Sequence, residues 1–164
     1  MDRFMDKIGD AIAPIAQKMT ANRYLSAIKE GFFGSTPILI AGSIFLLFTS
    51  LPFNGYTEFM ESTFGAGWMD FFYLPYQVSF KLMAIFVVIG MAKSLANYYK
   101  VDSKLAIALS FVGILLLTPV IVTVENVKGL PLDNFSAQGL FVCMIAAALA
   151  VEIYRWCVQK GFTI

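Results

Sequence analysis

Lys29 and Glu30 are followed by twenty-seven residues without a charge, ending at Glu58. The apolar part of that run, Gly31 to Leu51, is twenty-one residues long, and at ~1.5 Å of rise per residue it covers roughly the 30 Å of bilayer hydrocarbon. It predicts a membrane span. Three further segments with few or no charges follow, at Phe71 to Tyr98, Leu105 to Val124 and Phe135 to Val151. The third span is the cleanest, with twenty residues between Lys104 and Glu125 and none of them charged. The expectation is an all-α membrane protein with about four transmembrane helices.

Ahead of the first span, Phe4, Ile8, Ile12, Ile15 and Met19 recur at helical intervals. Arg3, Asp6, Lys7, Asp10 and Lys18 fall on the opposite side, so one face suits acyl chains and the other suits headgroups and water. Residues 1–29 therefore read as an amphipathic interfacial segment on the cytoplasmic face, with Pro14 bending or dividing the helix. The alternative is a helix packed on a soluble partner. Residues 30–164 form the four-span membrane domain.

Composition reinforces the lipid reading. The chain is 59% hydrophobic and 14% charged, with a mean hydropathy of +0.74, whereas soluble domains carry about 25% charged residues. A net charge of +1 gives no footing for nucleic-acid binding. The placement of charge carries more information than its balance. Of twelve Lys and Arg residues, ten fall in the N-terminal segment, the Ala92 to Lys104 loop or the tail. The Pro52 to Asp70 loop has none and Glu125 to Asn134 has only Lys128, so both termini are expected in the cytoplasm. The first thirty residues, with five Lys and Arg and no long apolar run, do not look like a cleavable signal peptide, so the first span is expected to act as its own insertion signal. Aromatic residues mark the proposed interfaces, with Phe53, Tyr56, Trp68 and Tyr73 outside and Tyr98, Tyr99, Tyr154 and Trp156 inside.

Little in the spans carries chemistry. The chain has no His, which removes imidazole-based metal sites, His general bases and phosphohistidine from it. No metal site, cofactor site or catalytic constellation is expected. Cys143 and Cys157 lie fourteen residues apart on one expected helix, roughly 21 Å of rise, which rules out a disulfide within it. They read as buried or interfacial free thiols. Gly31 and Gly34 fit close helix packing better than a phosphate loop, and Ala106, Ser110 and Gly113 put small residues on one face of the third span. Pro37 and Pro119 fall inside spans and mark bends.

Two ionisable residues, Lys81 and Glu152, are the intramembrane polar candidates, and each has competing readings. Lys81 is the basic residue inside an apolar segment; it either snorkels to the headgroups or plays a polar role inside the bundle. Glu152 either pairs with Arg155 three residues on or serves as a transport-path carboxylate. The spans otherwise lack the midplane polar cluster that a secondary transporter needs.

The stretch from Pro14 to Leu47 carries a family pattern: Pro14-Ile15-Ala16 with Lys18, Asn22-Arg23-Tyr24-Leu25, Ala27-Ile28-Lys29-Glu30-Gly31, Pro37 and Gly42-Ser43-Ile44-Phe45. It resembles the start of the membrane-spanning IIC component of phosphotransferase-system permeases, in the lactose, cellobiose and chitobiose family. Ser94-Leu95-Ala96, Tyr98 to Asp102, Thr118-Pro119 and Gly139-Leu140-Phe141 resemble later landmarks of the same family.

The resemblance implies a bacterial plasma-membrane, multi-pass permease that takes up a disaccharide and presents it to a phosphorylated IIB partner. It implies an N-terminal helical domain associated with homodimer contacts, followed by a domain with the sugar site. The His and Glu that the family places beside the sugar have no counterpart in this sequence. Residues 1–164 are thus expected to be the N-terminal scaffold and dimerisation part, inactive in transport alone, with lipid, a second copy, IIB and a disaccharide as the partners of the intact system. A self-contained four-span interaction or regulatory protein is the competing reading, and a small autonomous exporter a third.

Overall fold

The computed structural model describes residues 21–122 and 128–162. The expected interfacial stripe from Phe4 to Met19 lies outside the described residues. The fold is all-helical apart from one two-stranded contact.

Helix α1, Arg23–Thr49, is twenty-seven residues long and begins under a defined cap: the Asn22 side chain accepts from the backbone N–H of Tyr24 at 3.0 Å and of Leu25 at 3.4 Å. It runs without interruption through Lys29 and Glu30 into the apolar run, and it tolerates Pro37 in its interior. A short helix α2, Tyr56–Phe64, follows between Gly55 and Gly65, which adopt positive φ values of 80° and 85° that glycine takes without a Cβ penalty. Helix α3, Trp68–Lys81, and helix α4, Met83–Tyr99, meet at Leu82 with a bend of 43°. The expected second span is thus two helices joined at a kink.

Helix α5, Ser103–Leu117, is capped by Asp102, whose carboxylate accepts from the Lys104 N–H at 2.7 Å. Its end corrects an expectation. The cleanest apolar run continues to Val124, yet the helix has only fifteen residues, about 22 Å. Pro119 drives Thr118 into extended backbone, with φ −84° and ψ 120°, and so terminates the helix rather than bending it. Strand β1, Ile121–Val122, then pairs antiparallel with β2, Lys128–Gly129, in the register Ile121 to Gly129. A 3-10 turn at Leu132–Phe135 leads into helix α6, Leu140–Gln159, so the last apolar helix starts five residues later than expected and includes Glu152. Each of the four apolar segments contributes helix. By length and composition α1 and α6 suffice to cross a membrane, the kinked α3–α4 pair passes as a third span, and α5 is shorter.

Helix α4 is the axis of the assembly. Ala84, Val87, Val88, Met91, Ala92, Leu95 and Ala96 are all buried, because α1 covers one side and α5 and α6 the other. Small residues bring the backbones together: a Cβ on Gly31 would stand 2.5 Å from the Val87 carbonyl oxygen, and one on Gly90 would stand 2.8 Å from Gly31 Cα. Farther along α1, a Cβ on Gly42 would fall 2.5 Å from Ser79 Cβ in α3. In lipid, where helix association relies on van der Waals contact, such close approach holds the pairs together. The small face predicted on α5 meets α6 in the same way, with Ala106 and Ser110 fully buried and the Ser110 hydroxyl 3.5 Å from the Ala147 carbonyl. Gly34 departs from expectation, since nothing lies within 4 Å of its would-be Cβ. The outward faces carry large apolar side chains such as Phe33, Phe71, Leu116 and Phe141, as a lipid-facing surface requires.

Candidate functional site

At the end of the bundle where α1 begins, α4 ends and α6 makes its last turns, four side chains converge on one carboxylate. Glu152 Oε1 accepts from the Tyr24 hydroxyl at 2.7 Å and from the Tyr99 hydroxyl, and Oε2 accepts from Arg155 at 3.2 Å. Arg23 approaches Oε1 to 3.8 Å. The guanidinium of Arg155 stacks 4.3 Å above the Tyr99 ring, and that of Arg23 lies 4.9 Å from the centre of the Tyr24 ring. The i, i+3 pair of Glu152 with Arg155 is the geometry the spacing suggests. Its other partners come from α1 and α4, far away in sequence. Three hydrogen bonds from this chain's own groups reach the carboxylate, two on Oε1 and one on Oε2, so it is arranged to clamp helices.

Lys81 occupies the last turn of α3, beside the kink. Its ammonium lies 3.8 Å from Asp133 Oδ1 in the 3-10 turn, a partner that neither reading of Lys81 anticipated. The two sites are not brought together: Glu152 lies beside Tyr99 at the far end of α4 from Lys81.

Two concave regions accompany these charges. A groove of about 650 Å³ runs between α1 and α4, bordered by Ser26, Glu30, Gly34, Gly90, Lys93 and Asn97. It explains the open space at Gly34. A second recess, about 370 Å³, opens between the end of α5, the 3-10 turn and the start of α6, with Thr118, Asn134, Gln138 and Cys143 in its wall. Its floor is held tightly, as a Cβ on Gly139 would collide with the Asn134 backbone at 1.8 Å from the carbonyl oxygen. Cys143 is buried and Cys157 partly buried, both as free thiols. Among the described residues no group of three His, Cys, Asp or Glu side chains is placed to hold a metal ion.

Sequence reasoning missed Tyr24, Tyr99, Arg23 and Asp133 as partners. Tyr99 carried a signal that pointed elsewhere, because an aromatic residue near a span end reads first as an interfacial anchor.

The architecture defines a polytopic helical membrane protein in which one buried helix joins two helical layers. The family model for the phosphotransferase system EIIC component matches residues 29–164, and the chain belongs to that family of membrane-embedded permeases. It is 41% identical over 173 residues to the "PTS system cellobiose-specific EIIC component" of Geobacillus stearothermophilus, covering 100% of this chain and 38% of that relative. It is 27% identical to the "PTS system lactose-specific EIICB component" of Lacticaseibacillus casei, covering 98% of this chain and 28% of that protein. The crystal structure of the transporter ChbC, the IIC component of an N,N'-diacetylchitobiose-specific phosphotransferase system, superposes with a TM-score of 0.83 at 40% identity, over 96% of this chain and 38% of that one. The chain thus spans well under half the length of the relatives it matches.

Proposed function

We propose that these 164 residues are the N-terminal scaffold of a phosphoenolpyruvate-dependent permease for a β-linked disaccharide of the cellobiose or chitobiose type. Residues 1–29 are its cytoplasmic-face segment and residues 30–164 its membrane scaffold, with both termini inside. The observation that carries the reading is the pairing of a near-complete structural match to a chitobiose IIC transporter with coverage of only 38% of it. The clamp at Glu152 and the glycine contacts along α1 give a rigid body on which a sugar-handling domain can move. Neither Lys81 nor Glu152 is assigned to catalysis or sugar binding. The scaffold supplies part of a homodimer surface, and the phosphorylated IIB component meets the intact system through its cytoplasmic side.

A chimaera tests this directly. When this chain replaces the matching segment of the Geobacillus cellobiose relative, the hybrid should take up and phosphorylate cellobiose. The chain alone in liposomes, with IIB and its phosphate donors, should give no uptake above empty vesicles. A hybrid that is expressed and inserted but silent, or saturable uptake by the chain alone, overturns the scaffold assignment.

A further inference from the structure

Two independent rulers set the depth of the Lys81–Asp133 pair. The uncharged run Gly31–Leu51 has Ala41 at its middle, and the adjacent Gly42 is packed on Ser79. Lys81 is two residues further along α3, ~3 Å of rise. An exposed interfacial aromatic agrees: Tyr98 lies seventeen residues after Lys81, about 26 Å along the helix, a little past half of a membrane about 40–45 Å thick including its headgroups. Both rulers bring Lys81 close to the bilayer centre.

The charges there are not enclosed by this chain. The Lys81 side chain is 43% exposed and that of Asp133 72%. Hydrocarbon disfavours such a pair, and intramembrane charges accordingly face a bundle interior or a water-filled space. The recess beside Asp133 has room for several waters at ~30 Å³ each, and it offers Thr118, Asn134 and Gln138 as polar neighbours. Irregular backbone at this depth, at the Thr118-Pro119 break and in the 3-10 turn, is tolerated where it lines a cavity.

We propose that the recess at Thr118, Asn134 and Gln138 is a water-filled inlet reaching the middle of the bilayer, with the Lys81–Asp133 pair at its rim. It gives a polyhydroxylated solute a hydrated surface at mid-depth beside the scaffold. The inlet does not depend on which face of the membrane it opens to.

The test uses single cysteines in the chain with Cys143 and Cys157 replaced by Ala, in cells and in inside-out vesicles. Gln138→Cys, which leaves the ion pair intact, should be labelled to completion by a charged, impermeant thiol reagent from one side. Leu116→Cys, 81% exposed on the apolar face of α5, should stay unlabelled from both. Asp133→Cys provides a second reporter should the first not insert. A spin label at Val78→Cys, exposed on α3 beside Ser79, should show the oxygen-over-nickel-chelate collision ratio of the bilayer centre. Labelling of Gln138→Cys from either side supports the inlet, and the side reports orientation separately. No labelling of either reporter, or a headgroup-level ratio at Val78, overturns it.

Discussion

At the scale of single residues, Glu152 shows how an intramembrane-type charge can be consumed by structure. A carboxylate that accepts from two phenols and one guanidinium, with a second guanidinium nearby, spends most of its acceptor capacity within the chain. Its Tyr99 contact joins α4 to α6 and its Tyr24 contact joins α1 to α6. Hydrogen bonds to charged groups contribute about 1.5–3 kcal/mol, so Tyr99→Phe should destabilise the detergent-solubilised chain by an amount within that range, read as a fall in its thermal unfolding midpoint. Tyr24→Phe should do the same, and the double variant should cost other than the sum, since both hydroxyls share one oxygen. Strict additivity in that cycle would show that the two phenols act independently of the clamp. The i, i+3 link to Arg155 was legible in the sequence. The tyrosines were not, because they stand 128 and 53 residues from Glu152 and each had a sufficient reading as an interfacial aromatic.

At the scale of elements, each of the four apolar segments contains helix, but the pattern misjudged where those helices break or end. Periodicity and length speak to burial in lipid, and Leu105 to Val124 is apolar throughout; what ends α5 is the backbone restriction that Pro119 imposes on Thr118. The kink at Leu82 left even less trace, with no Pro or Gly beside it and Pro75 well inside α3. Small residues were read well where a partner helix exists. Gly31→Ala should destabilise the bundle, because the new methyl meets the Val87 carbonyl oxygen at 2.5 Å and backbone must shift, at a typical overpacking cost of about 1–3 kcal/mol. Gly34→Ala, one turn along the same helix, meets nothing within 4 Å and should be neutral or stabilising by up to about 1 kcal/mol through helix propensity. Thermal melts of the two variants side by side check the contrast. Equal effects would mean that the α1–α4 contact is looser than described.

At the scale of the whole molecule, orientation follows from where positive charge gathers relative to the fold. Arg23, Lys29, Lys93, Lys100, Lys104, Arg155 and Lys160 belong to the half of the bundle that contains the Glu152 clamp, whereas the stretch from Leu51 through α2 to Met69 has no Lys or Arg. Short loops rich in Lys and Arg are retained in the cytoplasm, which supports the proposed orientation with the clamp inside and α2 outside. In a background without Cys143 and Cys157, Glu61→Cys on the exposed side of α2 should react with an impermeant thiol reagent added to intact cells. Asp102→Cys, at the α4–α5 turn, should react only after the cytoplasmic face is opened. Both positions are exposed, which removes burial as a reason for silence. Labelling of Asp102→Cys in intact cells, with Glu61→Cys protected, would invert the molecule in the membrane, place the Glu152 clamp on the outer side and overturn the proposed orientation.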